Sequence, residues 1–304
     1  MPTLKAIRRR IASVKSTQQI TRAMKLVAAA RLRRAQEALF NARPYSEALA
    51  RVAESVLAAE RESLAPAEDA QNAALLVVVS SDRGLCGSYN VNLLKLAEET
   101  ARRAERDGLE PRFFVIGRKG LDYLQHAGAK IVGERINNPR LASVALARDI
   151  AAQMLSAYRQ GEVREASLIY MQFRSALSQR PTYERLLPVA AREEPRPEQA
   201  GASGAEAAGA ESEGAAAAVD YLIEPSRERL VPVVLRASVE AAVFHALLEA
   251  EASEQGARMA AMDSATNNAS EMIERLTLEM NRARQAQITK ELMDIVGGAE
   301  ALRG

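Results

Sequence analysis

The sequence predicts an α/β protein: long N- and C-terminal helices paired as an antiparallel coiled coil, joined by a central α/β domain with a mainly parallel sheet. Three observations predict this. A heptad seam runs from Ile7 to Leu39. The same four-three spacing returns from Ala269 to Ala283. Between them, apolar runs of strand length alternate with helical segments.

Composition agrees with a helix-rich chain. Its 304 residues suffice for one large domain or two, and the 48% apolar content rests on Ala, Leu, Val and Ile, with only 4% aromatics. A single Cys excludes an intramolecular disulfide and a CxxC metal site. His126 and His245 are far apart, which argues against a His-based metal centre, and no cofactor is expected. The longest strongly apolar run, Ala73 to Val79, falls well short of the roughly 18–20 residues of a membrane span. A soluble chain poor in chemically active side chains is expected.

The first element is a helix over about 3–59. Seam positions 7, 11, 14, 18, 21, 25, 28, 32, 35 and 39 hold Ile, Ile, Val, Gln, Thr, Lys, Ala, Leu, Ala and Leu, apolar at both ends and polar in the middle. Ile20, Met24 and Val27 widen the stripe, and Arg43-Pro44 is expected to bend the helix. Residues 1–39 carry ten cations against Glu37, a net of +9. Such an arm implies an acidic partner, whether nucleic acid, anionic lipid or acidic protein loops. Phe40 is the first aromatic, so stacking on single-stranded nucleic acid is poorly supported, while phosphate contacts by the arm stay open on the residues alone.

The middle, about 70–190, reads as alternating strands and helices. Strands are expected at 73–79, 112–117, 130–133 and 166–173, with an antiparallel one at 181–187. Helices are expected at 90–107, 121–127 and 142–160, which makes a small Rossmann-like domain. Residues 191–220 are rich in Glu, Pro, Ala and Gly, and read as a flexible acidic loop. A helix from 226 to about 298 follows, stopped by Gly297-Gly298. Its stretch from Asp263 to Ser270 is small and polar, matching Ser13, Thr17, Gln18 and Thr21 of the first helix.

Ser80-Ser81-Asp82-Arg83-Gly84-Leu85-Cys86-Gly87-Ser88-Tyr89-Asn90 joins a strand to a helix, where α/β folds often bind ligands. It has neither GxGxxG nor GxxxxGK[ST] spacing, so it reads as a turn that brings Arg83 to the surface. Cys86 has no His beside it and reads as a small buried residue.

Three runs carry a family resemblance: IRRRIASVKSTQQITRAMKLVAAARLRRAQ, SSDRGLCGSYN and ARMAAMDSATNNASEMIERLTLEMNRARQAQITKELMDIVGGA. Together they resemble the gamma subunit of the rotary F-type ATP synthase over nearly the whole chain. The resemblance implies a non-catalytic shaft whose paired helices rise through a ring of three alpha and three beta subunits. The globular part would sit with the epsilon subunit on a c-ring, peripheral to the cytoplasmic side of a bacterial inner membrane. Proton flow would turn ring and shaft and drive the beta sites through different nucleotide affinities.

Carried onto this sequence, the resemblance assigns Arg284 and Gln285 to contact with a beta-subunit loop, and Thr289 and Glu291 to coupling. Met24, Lys25 and Arg83 fall where the family's shaft meets an acidic beta loop, and Arg258 matches another coupling position. Apolar residues of the last turns, Ile288, Leu292, Met293, Ile295 and Val296, suit rotation in an apolar collar. The 191–218 stretch departs from a minimal gamma chain in length and holds no Cys, so thiol control is not implied. The resemblance implies no nucleic-acid partner. The alternatives from the residues alone are a nucleotide-binding α/β enzyme with a coiled-coil arm and a nucleic-acid binder that uses the basic arm.

Overall fold

The computed structural model describes residues 3–58, 64–67, 69–137, 141–189, 224 and 226–301. The acidic 191–218 stretch lies outside them. The elements, in chain order, are α1 (Leu4–Ala58), β1 (Ala73–Val79), α2 (Tyr89–Arg106), β2 (Glu110–Ile116), α3 (Arg118–His126), β3 (Ile131–Arg135), α4 (Val144–Arg159), β4 (Glu165–Phe173), β5 (Gln179–Leu187) and α5 (Arg227–Ala301).

The sheet order is β3-β2-β1-β4-β5. Strands β1, β2, β3 and β4 pair in parallel, and β5 returns antiparallel on β4. Central β1 is buried along its whole length, which is why it is an unbroken apolar run rather than an alternating one. Its side chains divide by parity. Leu75, Val77 and Val79 join the core built with α1, α4 and α5, through Leu57, Ile150 and Leu247. Leu76 and Val78 join a second core under α2 and α3, through Leu93 and Leu124. The sheet is therefore covered on one face by the two terminal helices and α4, and on the other by α2 and α3.

Helices α1 and α5 run antiparallel, since partner numbers fall along α5 as they rise along α1. Gln18 bonds Ser270, Thr21 meets Thr266, and Lys25 pairs with Asp263. Further along, Leu32 and Ala35 pack with Ala252. All ten seam positions from 7 to 39 are buried or half-buried. The flanking stripe is narrower than expected: Ile20 is 57% and Val27 52% exposed, leaving only Met24 half-covered beside the seam. A single partner helix covers one seam and no more.

Helix α1 runs unbroken across Pro44, in line with the single helix expected over about 3–59, because the ring removes one backbone bond while both flanks keep theirs. Two expectations about α5 are corrected. Helix α5 continues through Gly297-Gly298 to Ala301. Glycine costs a helix about 1 kcal/mol and permits a stop without enforcing one. Finally, α5 contains an 18-residue window of mean hydropathy 1.6, long and apolar enough to cross a membrane by composition alone. Within α5, Val234, Leu235, Val239, Val243 and Leu247 are buried in the core, which accounts for much of its apolar character.

Gly256, in the middle of α5, is retained by packing. A Cβ there would come 3.2 Å from the backbone oxygen of Ala176 in the β4–β5 turn. The hairpin thus lies directly on the helix backbone.

Candidate functional site

The sequence-assigned residues fall into three places along the shaft. Met24 and Lys25 lie mid-way along α1. Met24 is half-buried, and Lys25 Nζ sits 2.6 Å from Asp263 Oδ1 in a pair about half exposed on each side. A pair so wet contributes about 0–1 kcal/mol and releases readily.

The second place is the Ser80–Tyr89 loop at the carboxyl end of β1. Ser81 Oγ donates to the Arg83 carbonyl at 2.7 Å, and Asn90 Nδ2 donates to Ser81 Oγ at 2.8 Å. Asp82 Oδ1 accepts the backbone N–H groups of Arg118 and Asn137, both at 3.0 Å. Gly117 closes the next strand exit with φ +92°, its Cα so near Ser80 that a Cβ would lie 2.3 Å from the Ser80 carbonyl oxygen. With its backbone tied down in this way, the loop leaves the Arg83 side chain exposed. Beside it opens a cavity of about 870 Å³ lined by charges of both signs, Arg31, Arg34, Arg83 and Arg118 against Asp82, Glu251 and Glu254. Cys86 is buried, and burial pushes its thiol up, so it is a packing residue as expected.

Arg258 belongs to this second place but points inward. It is 8% exposed, its Nη2 lies 2.6 Å from Glu254 Oε1, and the same nitrogen reaches the Gly84 carbonyl at 3.4 Å. Burial pushes the Glu254 carboxyl up, and the Arg258 guanidinium opposes that shift.

The third place is the end of α5. Helix α1 begins at Leu4, beside the last half-buried seam residues of α5, Met280 and Ala283. All side chains described between Arg284 and Val296 are exposed. Arg284, Gln285, Thr289 and Glu291 therefore stand on a single unpaired helix. Their internal bonds stay on that helix: Thr289 Oγ1 donates to the Gln285 carbonyl and Gln287 Nε2 to Glu291. Ile288, Leu292, Met293, Ile295 and Val296 are 46–68% exposed.

The three places fall on the three sequence runs that carry the family resemblance. The ATP synthase family profile matches residues 3–302. This chain belongs to the ATP synthase gamma chain family. A gamma chain of Heliobacterium modesticaldum is 41% identical, over 99% of this chain and all of its own. One from Methylorubrum extorquens is 44% identical over the same shares. One from Moorella thermoacetica is 43% identical, with both chains covered fully. Among solved structures, the central stalk and c-ring of Tetrahymena thermophila mitochondrial ATP synthase matches with TM-score 0.57 and 25% identity, over 81% of this chain and 99% of that one. The rotor of the Euglena gracilis enzyme matches in fold with TM-score 0.65 and 19% identity, over 94% and 98%.

Sequence alone did not show several contacts: Asp263 pairs with Lys25, Glu254 with Arg258, and Ser81, bonded by Asn90, holds the Arg83 carbonyl. Only Glu254 carried a usable signal, its spacing of four from Arg258 on a helix. His126 is exposed on α3, while His245 is half-buried with Nε2 3.7 Å from Glu249 Oε1.

Proposed function

We propose that this chain is the central rotor shaft of a proton-translocating F-type ATP synthase. It couples c-ring rotation to conformational cycling of the catalytic beta subunits, for ATP synthesis or hydrolysis. One observation carries the reading: every residue described from Arg284 to Gly297 is exposed, on a stretch of α5 that α1 does not cover. At 1.5 Å per residue the stretch from 284 to 297 is about 21 Å long. No packing among the described residues accounts for it, and a surrounding collar of three alpha and three beta subunits would. Family membership and the fold likeness to rotor structures support the same reading.

Within it, Arg284 and Gln285 meet a beta-subunit loop near the tip, and Thr289 and Glu291 lie one and two turns further along. Met24, Lys25 and Arg83 face an acidic beta loop, in keeping with the exposed Arg83 side chain and the basic face of α1. The chain itself is non-catalytic. In support, Cys86 and Glu254 are buried and engaged internally. Its α/β domain rests with epsilon on the c-ring, peripheral to the cytoplasmic side of a bacterial inner membrane.

The test is reconstitution with alpha, beta and epsilon subunits and c-ring membranes. Stoichiometric assembly and gradient-driven ATP synthesis that depend on this chain are expected. Failure to assemble, together with micromolar ATP or NAD binding by the chain alone, would instead favour an α/β enzyme with a coiled-coil arm.

A further inference from the structure

We propose that Glu254 and Arg258 are positioning residues, which clamp the Ser80–Tyr89 loop onto α5 and thereby fix where Arg83 stands beside the shaft. The inference rests on the rotor reading above and assigns Arg258 an internal role within it.

The loop lies along one face of α5. Ala250, Glu254, Ala257, Arg258 and Ala261 recur at the three- and four-residue spacing of a helix face. The Tyr89 hydroxyl lies 3.4 Å from the Ala250 carbonyl oxygen. Ala257 packs in the cluster that holds Cys86 and Tyr89. A Cβ at Gly87 would fall 3.7 Å from the Ala261 methyl. Arg258 supplies the directional contact, to the Gly84 carbonyl.

Consecutive carbonyls are therefore held from opposite sides. Arg83 is held by Ser81 from the α/β domain, and Gly84 by Arg258 from the shaft. Between these anchors and Cys86, Leu85 adopts φ +63° with its side chain 63% exposed. A left-handed leucine persists only where its surroundings impose the conformation, and the two anchors do so here. A buried ion pair is a poor way to add stability, since apolar residues of equal volume serve as well. It is a good way to aim a rigid donor, and Glu254 aims this one.

The experiment is a double-mutant cycle in the reconstituted complex, reading ATP synthesis per assembled complex for Arg83→Ala, Arg258→Met and the double variant. Each single change should lower the rate by about fivefold, the scale of one ordinary hydrogen bond. The double should lie within about twofold of Arg83→Ala alone, because both changes remove the same placed guanidinium. Arg258→Lys, which keeps a cation against Glu254, should restore most of the rate. Where Arg258→Met lowers assembly, Glu254→Gln takes its place in the cycle.

Losses that multiply, or a wild-type rate for Arg258→Met, would overturn the clamp as a route to Arg83. A silent Arg83→Ala in a coupled complex would overturn it too, leaving the rotor reading intact. If the unmodified chain fails to assemble with alpha and beta, the rotor reading is what falls.

Discussion

Lys25 Nζ and Asp263 Oδ1 stand 2.6 Å apart across the seam of α1 and α5, one turn from the Thr21–Thr266 contact. Together with Gln18–Ser270 they set the register of the two helices where the seam is polar. Burial alone would leave small side chains there free to slide.

Because both partners are about half exposed, Lys25→Ala should lower the stability of the isolated chain by no more than about 1 kcal/mol. Denaturant unfolding reads this directly. A loss of several kcal/mol would mean that the pair fixes the register alone.

The Glu254–Arg258 pair is the opposite case, with side chains 13% and 10% exposed. Glu254→Ala strands a buried guanidinium and should cost about 3–5 kcal/mol. The same unfolding measurement should place it well below Lys25→Ala, and equal effects would contradict the burial argument.

Gly117→Ala meets two obstacles, the backbone at φ +92° and the Ser80 carbonyl at 2.3 Å. A loss of at least about 3 kcal/mol is expected. Near-wild-type stability would show that the β1–β2 exit relaxes more readily than its contacts imply.

His245 should add an acid-side slope to stability. Burial, with Arg43 nearby, holds its folded-state pKa below the ordinary 6.5. The unfolded chain therefore takes up the proton first, and stability is lost as pH falls below about 6.5 toward the lower folded value. Neighbouring Glu47 opposes this shift. Glu249, raised by burial, works in the other sense and favours the folded state less as pH rises above 4.5. His245→Gln should flatten the slope between about pH 5 and 7. An unchanged slope in unfolding titrations would remove His245 as its source.

Arg284→Ala should leave the isolated chain within about 0.5 kcal/mol of the original, as its side chain is exposed on the unpaired tip. In the complex it should lower coupled ATP synthesis or assembly yield. Wild-type values of both would withdraw the assignment of Arg284 to a beta contact.

Periodicity made the architecture legible. The four-three spacing of Ile7 to Leu39 named the seam residues, and the apolar run Ala73–Val79 named the central strand. Gly297-Gly298 misled because a local preference of about 1 kcal/mol per glycine permits a stop without requiring one. The stripe of Ile20 and Val27 misled because periodicity reports which face is apolar, not how many helices will cover it.

By itself the sequence determined the pairing of two long helices, the parallel sheet between them and the family to which the chain belongs. Those features repeat along the chain, so each is specified many times over. The turn read from the sequence already brought Arg83 to the surface, and only the tertiary structure decided that Arg258 turns inward to Glu254 and Gly84. That direction depends on how a loop near residue 84 meets a helix near residue 258. It likewise decided that α5 outruns α1, since the overhang depends on pairing register rather than on either helix alone.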